Sequence, residues 1–281
     1  FSEENKNSIF SILLSYDLQS GEYNKRKNFD DKWKSYFNEW GHQLANILDQ
    51  YSEPGMSFLE IGCGECTSMS SILDHMHPEN KNFFGFDVSW SRIFEGKKLL
   101  SDSINNELFV ADLFSIPLAD NSVDIIYSVH SLEPNGGREE EAIRELIRVA
   151  KHKVILCEPI YELANKTQKI RMDKHGYVKN LKETAQKFNV NILQYNQLPF
   201  YASEENVSGI LVLEKIRSEI EDKNKFDSIW QCPITQRKII KYDDFYFNED
   251  IGLAYPILKN IPLLHKDNMI IASKLSEMIP K

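Results

Sequence analysis

The sequence predicts an α/β fold: a mostly parallel sheet covered by helices on both faces, with helices ahead of it and a small β-rich unit behind. Three observations predict it. From Ser57 to about Lys215, short apolar runs alternate with segments of helical period, the pattern of strands joined by crossover helices. Two of the runs, Val123–Val129 and Val154–Cys157, are almost continuously apolar, as central strands buried on both sides must be. From Ile216 onward basic and acidic side chains balance, ten of each, so the net charge of −9 belongs to the chain before it and marks the tail as a separate unit.

Asn28–Tyr51 carries Trp33, Phe37, Trp40, Leu44, Ile47, Leu48 and Tyr51 at helical intervals, giving an amphipathic helix that packs on the core. The polar and aromatic stretch Ser15–Tyr23 before it, which holds a glycine, reads equally as a lid or as a surface connection. Strands are expected at Ser57–Ile61, Asn82–Phe86, Leu108–Ala111, Val123–Val129, Val154–Glu158, Val190–Tyr195 and Gly209–Glu214. Helical segments are expected at Cys66–Met76, Trp90–Leu100 and Glu139–Val149, with a long charged one from Tyr161 to Phe188. Arg217–Asp227 is a charged run without apolar periodicity, and short strands come after it around Tyr242, Phe245–Phe247, Leu253–Tyr255 and Ile261–Leu264. The domain boundaries are thus a helical or lid region over 1–55, the α/β core over 56–215, a linker over 216–228 and the β-rich unit over 229–281.

Composition narrows the function. An apolar content of 42% and a charged content of 27% are ordinary for a globular protein. Apolar runs such as Ile9–Ser15 are far too short to span a bilayer. The acidic balance, 33 basic against 42 acidic side chains, counts against non-specific nucleic-acid binding while leaving room for a local basic groove, and it suits a cationic ligand. Four sparse cysteines point to a reducing compartment, the cytoplasm by default. Cys63 and Cys66 form a C-x-x-C, but Cys63 lies between two glycines of a tight turn and no second such pair exists, which disfavours metal or redox use.

The chemistry gathers at successive strand ends. In Phe58-Leu-Glu-Ile-Gly-Cys-Gly64 a strand runs into Gly-x-Gly and then into a helix; glycine permits the tight turn and lets a ligand approach the backbone. Glu60 sits two residues before the first glycine, where a carboxylate can face an ammonium group. Asp87 closes the second strand, where an acid accepts hydrogen bonds from ribose hydroxyls. Asp112 follows the third strand, where an acid can accept from an adenine amino group. Each acid alone reads as readily as a helix cap or turn former. Their coincidence along one edge of an open α/β sheet marks a ligand site.

These residues resemble the successive motifs of the class I S-adenosylmethionine (SAM)-dependent methyltransferases, over Ser57–Pro159 and less specifically to Lys215. The resemblance implies a Rossmann-like methyltransferase sheet and SAM as cofactor, with S-adenosylhomocysteine as product and no metal. It assigns the methionine part to Glu60, Gly62, Cys63 and Gly64, the ribose to Asp87 with Val88, and the adenine to Asp112 with Leu113. Val129 and the loop Ser128-Val-His-Ser-Leu132 then pass beneath the reactive methyl group. A nicotinamide dinucleotide site is the rival within this fold, but its third glycine is replaced by Thr67.

The family reaction is in-line displacement at the methyl carbon, so alignment and exclusion of water dominate, with a general base for a hydroxyl or protonated amine. His130 and Glu133 at the mouth of the fourth strand and Glu158 at the fifth are the candidate catalytic residues, with His175, Tyr177 and Tyr23 as further options. The Asn-Pro-Pro-Tyr type motif of those relatives that methylate planar amide or base nitrogens is absent after the fourth strand, where Ser-Val-His-Ser stands, which favours an oxygen or aliphatic-amine acceptor. Lys166–Lys187 holds seven Lys/Arg against Asp173 and Glu183, either a seat for a phosphorylated or nucleotide-linked substrate or, more simply, a solvated face.

From Trp230-Gln-Cys-Pro-Ile-Thr to about Lys266 the tail resembles the zinc-ribbon-like Trm112 family, whose members activate methyltransferases of tRNA, rRNA and release factors. It departs from that family in its ligands: Cys232 remains, Thr235 stands at the C-x-x-C partner position, and His265 alone cannot complete a four-ligand site. A metal-free stabiliser or substrate platform in cis is implied. The expected partner is a small-molecule acceptor, such as a sugar or nucleotide-linked intermediate of bacterial surface-glycan synthesis, by similarity to methyltransferases of those pathways. A tRNA or protein methyltransferase, and a SAM-binding regulator without turnover, are the alternatives.

Overall fold

A computed structural model describes residues 9–77, 82–100, 105–201, 203–216 and 228–279. The charged run 217–227, read from the sequence as a linker, lies outside the described residues.

Three helices open the chain: α1 (Ile9–Asp17), α2 (Glu22–Phe29) and α3 (Asp31–Tyr51). Asp30 caps α3, its carboxylate accepting from the amides of Lys32 and Trp33, which satisfies two of the donors that a helix start leaves orphaned. The buried stripe of α3 comprises Phe37, Trp40, Leu44, Ala45 and Leu48, with Gly41 among them. That glycine is a contact point. A Cβ there would meet the Ser71 carbonyl oxygen at 2.4 Å, so its absence lets α3 lie directly on α4 (Thr67–Leu73).

The core sheet consists of β1 (Ser57–Ile61), β2 (Asn82–Asp87), β3 (Asn105–Val110), β4 (Val123–Val129), β5 (Ala150–Glu158), β6 (Val190–Gln197) and β7 (Gly209–Lys215) in the order β3-β2-β1-β4-β5-β7-β6. The first five are parallel and β7 is inserted antiparallel between β5 and β6. The order reverses between β1 and β4, and a sheet wound this way leaves a crevice at the carboxyl ends of those strands. Helices α5 (Trp90–Leu99) and α6 (Glu139–Val149) cover opposite faces. In α6 three glutamates occupy the first turn and Arg148 the last, in accord with the helix dipole, while Ala142, Ile143, Leu146 and Val149 are buried.

The segment expected as one charged helix is divided: a 3₁₀ turn at Tyr161–Leu163, then α7 (Lys166–His175) and α8 (Leu181–Ala185). Asn165 and Gln168 form a capping box at the start of α7, and Gly176, left-handed with φ 64°, ends it.

The tail is a small antiparallel sheet of β8 (Ile240–Lys241), β9 (Phe245–Asn248), β10 (Leu253–Leu258) and β11 (Ile261–Pro262), with β12 (Ile270–Ile271) pairing β10. It docks on the β3 edge. The Leu264 amide donates to the Val110 carbonyl at 2.8 Å, and Leu263 bridges Val110 in parallel. The Trp230 ring meets Phe109 edge-on with 5.1 Å between centroids, and Trp230, Tyr246, Tyr255 and Leu264 join the same apolar cluster as Phe109 and Leu118. Buried Cys232 lies beside the Tyr255 hydroxyl, 3.2 Å from Sγ to oxygen.

Candidate active site

The crevice at the β1/β4 reversal opens into a cavity of about 420 Å³. Its floor is the turn after β1. Gly62 and Gly64 have φ of 59° and 53°, and a Cβ on Gly62 would sit 2.5 Å from that of Ser131. Only glycine therefore serves at this crossing of two loops. The Gly64 amide donates to Asp87 Oδ2 at 3.1 Å and the Ser89 amide to Oδ1 at 2.9 Å, so the second-strand acid fixes the turn from behind. Asp112 Oδ1 accepts from the Phe114 amide at 3.1 Å, and its Oδ2 lies 4.0 Å from Nε2 of His265 in the tail unit.

Glu60 is buried on β1, with the Tyr127 hydroxyl donating to Oε2 at 2.9 Å. Burial pushes its carboxyl up to about 8, against a smaller lowering by the tyrosine and a further rise from the charge of Asp87. A carboxyl held neutral this way is poised to ionise when a cation arrives.

Glu65, 1% exposed, accepts from the Gly21 amide through one oxygen and the Asn24 amide through the other, both at 2.9 Å. Ser89 donates to Asp17 at 2.6 Å. The first two helices are thereby fastened across the cavity, with Tyr16 and Tyr23 in its wall. Between these rings lies Arg92, 5.1 and 5.4 Å from their centroids and 3.8 Å from Asp87. A second wall is aromatic, formed by Trp33, Tyr36, Phe37 and Trp40 of α3.

The loop after β4 carries a polar cluster. His130, at φ 52°, has Nε2 2.6 Å from Ser208 Oγ, and Nδ1 3.2 Å from Asn206 Nδ2 and 3.4 Å from Glu133 Oε2. Burial lowers its pKa, but the hydrogen bond and charge of Glu133, with the charge of Glu158, raise it above the ordinary histidine value on balance. Glu133 is 9% exposed. The Tyr177 hydroxyl donates to Oε1 at 3.1 Å, while Oε2 is buried and faces the His130 ring.

Glu158 sits differently. Its carboxylate accepts from the amides of Ser131 and Leu132 at 3.0 and 3.1 Å and of Glu133 at 3.3 Å, and it does not line the cavity. The sequence placed it near the chemistry, whereas its oxygens are spent on holding the loop that carries Glu133. His175 likewise lies off the cavity. Glu60, Gly62, Cys63, Asp87, Val88, Asp112, Leu113, Val129, His130 and Glu133 all line it, and Gly64 reaches it through Asp87. The cysteine sulfurs of Cys63 and Cys66 are free, buried and 3.9 Å apart.

Residues 58–153, which build this crevice, match the family model described as Methyltransferase domain. The match covers about a third of the chain, from β1 into β5. The sheet is like that of Rossmann-like methyltransferases. No curated protein matches the chain. Solved structures with this fold include a chain from the complex between the Haloferax volcanii Trm112 methyltransferase activator and the putative methyltransferase, at 12% identity and TM-score 0.54, covering 70% of this chain and 96% of that one. Magnesium protoporphyrin IX methyltransferase of Synechocystis PCC 6803, solved with bound S-adenosylhomocysteine, matches at 12% identity and TM-score 0.52 over 72% and 98%. The [4+2]-cyclase SpnF matches at 16% identity and TM-score 0.55 over 73% and 95%. At such identities the likeness is one of fold, and a cyclase among these structures shows that the methyltransferase fold does not dictate the reaction.

Proposed function

We propose that the methyltransferase domain binds SAM and methylates a small molecule. The observation that carries this reading is the convergence of Glu60, Asp87 and Asp112, from three strand ends, on one cavity beneath a glycine turn too tight for any Cβ. These residues fit the cofactor: Glu60, Gly62, Cys63 and Gly64 would hold its methionine part, Asp87 and Val88 the ribose, and Asp112 and Leu113 the adenine, with Val129 beneath the methyl. SAM supplies a methyl group on a sulfonium leaving group. The aromatic wall of α3 and the fastened α1–α2 pair exclude water. Glu133 Oε2, buried and 3.4 Å from His130 Nδ1, accepts the proton that the acceptor loses, and His130 orients it. Glu158 keeps both in place through the loop amides.

The docked tail supports a Trm112-like role in cis without metal. Besides the His265 approach to Asp112, Ser115 Oγ donates to the Pro233 carbonyl and the Gln231 amide to that of Pro117, so the tail stiffens the loop assigned to adenine. A tRNA or protein acceptor is the second reading, favoured by this same tail, and the helices fastened across the cavity favour the small molecule over it. A sugar or nucleotide-linked glycan intermediate is one such acceptor, and the cytoplasm the compartment that supplies SAM. Methyl transfer from labelled SAM into a cell extract divided into small-molecule, RNA and protein fractions tests the choice. Label in the small-molecule fraction is expected, label confined to RNA or protein reverses the order of the readings, and tight SAM binding with no label anywhere indicates a regulator.

A cationic ligand beside Glu60 also ties affinity to pH. Glu60 is mostly protonated below about 8 in the free protein, and binding an ammonium favours its ionised form. Affinity for S-adenosylhomocysteine should therefore rise with pH and level off above about 8, and binding at neutral pH should release a proton. Calorimetry in buffers of different ionisation heat reads that proton, and Glu60→Gln should abolish it; a proton count of zero in the unaltered protein removes Glu60 from the ligand.

A further inference from the structure

We propose that the acceptor site contains an oxyanion subsite built on Arg171, so that the methyl acceptor carries a carboxylate or phosphate group. This rests on the methyltransferase reading of the cavity and names what enters its second half.

The basic residues of Lys166–Lys187 are not alike. Lys179 pairs with Asp173 at 2.5 Å and Lys187 with Glu140 at 2.8 Å, both exposed, while Lys169 and Lys182 lie over the rings of Tyr161 and Tyr195. Arg171 alone of the run lines the cavity. It stands on the flank of α7 next to buried Gln168 and Met172, which turns it inward. A guanidinium has five N–H donors and no acceptor. Its contacts are Asn206 Oδ1, 2.6 Å from Nη1, and the Tyr177 side chain, with 5.3 Å from its central carbon to the ring centroid. Among the described residues it forms no ion pair with a carboxylate, whereas Arg138 and Arg148 each do. A half-buried guanidinium facing a cavity without a paired carboxylate is matched to an oxyanion with two oxygens side by side, which it binds through two parallel hydrogen bonds.

Its placement relates the anion to the chemistry. Asn206 touches both Arg171 and His130, and Tyr177 touches both Arg171 and Glu133. The five side chains form a ring, so an anion on Arg171 lies one residue away from the proton acceptor. Trp33, Tyr36, Phe37 and Trp40 offer apolar surface to the rest of the acceptor. The subsite thus fixes one end of a small molecule and leaves its hydroxyl or amine toward Glu133.

Benzoate and its neutral isostere benzamide are suitable probes. Each is titrated into the S-adenosylhomocysteine complex while tryptophan fluorescence or calorimetric heat is monitored. Benzoate should bind at least about tenfold more tightly than benzamide, and Arg171→Gln should erase that preference while leaving S-adenosylhomocysteine affinity unchanged. Arg171→Lys, which keeps the charge and loses the fork, should fall between them. Equal binding of the two probes, no binding of benzoate, or an undiminished preference in Arg171→Gln each overturns the subsite. Failure of S-adenosylhomocysteine to bind the unaltered protein instead overturns the cofactor reading, so the two ideas fail separately.

Discussion

Replacing Glu133 by glutamine should reduce methyl transfer by roughly 10²–10⁴-fold, the usual contribution of a general base, while SAM affinity stays within about twofold. Glutamine still accepts the Tyr177 hydroxyl through its carbonyl oxygen and fills the same volume, so the loop has no reason to move. What it cannot do is take a proton at the position of Oε2, the buried atom that faces His130 Nδ1 at 3.4 Å. The measurement is single-turnover transfer from labelled SAM into the accepting fraction, with calorimetry of S-adenosylhomocysteine alongside. Glu158→Gln separates positioning from proton transfer, because it weakens the hold on the three loop amides without touching the cavity. A Glu133→Gln protein that turns over at the original rate would end the proposed role.

Asp87→Ala should weaken S-adenosylhomocysteine binding by about a hundredfold or more, because the carboxylate serves two partners at once. It anchors the amides of Gly64 and Ser89 and, on the proposed reading, accepts from the ribose. Hydrogen bonds to a charged group contribute roughly 1.5–3 kcal/mol each, so loss of the ligand contact together with a loosened turn exceeds what either would cost alone. Asp87→Asn, which keeps one acceptor oxygen, should lose less. Calorimetry checks affinity and circular dichroism the fold; unchanged affinity in a folded Asp87→Ala protein removes the ribose contact.

The strand–turn–helix rhythm of the core was legible because its signals are local. Ser57–Ile61, Val123–Val129 and Glu139–Val149 have the bounds that their periodicity predicts. The acid at each strand end is a one-residue signal that a parallel sheet turns into a spatial cluster. The divided helix after β5 was missed although Gly176 stands at its break, a stop signal outweighed by the continuous charge around it. The antiparallel insertion of β7 was not written in either strand's own pattern, since Gly209–Lys215 is as apolar as a parallel strand would be. Glu65, and Arg171 as the inward-facing member of its basic run, were out of reach for a different reason. Their partners Gly21 and Asn206 lie 44 and 35 residues away, and nothing in a polar residue's neighbours announces a contact at that separation. In α7 the buried Gln168 and Met172 were the available hint, visible only once one face of that polar helix was asked to be inside.

The docking of the tail on β3 has a meaning for how the molecule avoids its own copies. β3 ends the central sheet on one side, and such a margin carries unpaired backbone groups that invite a foreign strand. Leu263 and Leu264 occupy its carboxyl end, while Trp230 shields Phe109 and Leu118. A proteolytic cut ahead of residue 228, with loss of the tail, would strip that shield and leave a sticky margin beside the Asp112 loop.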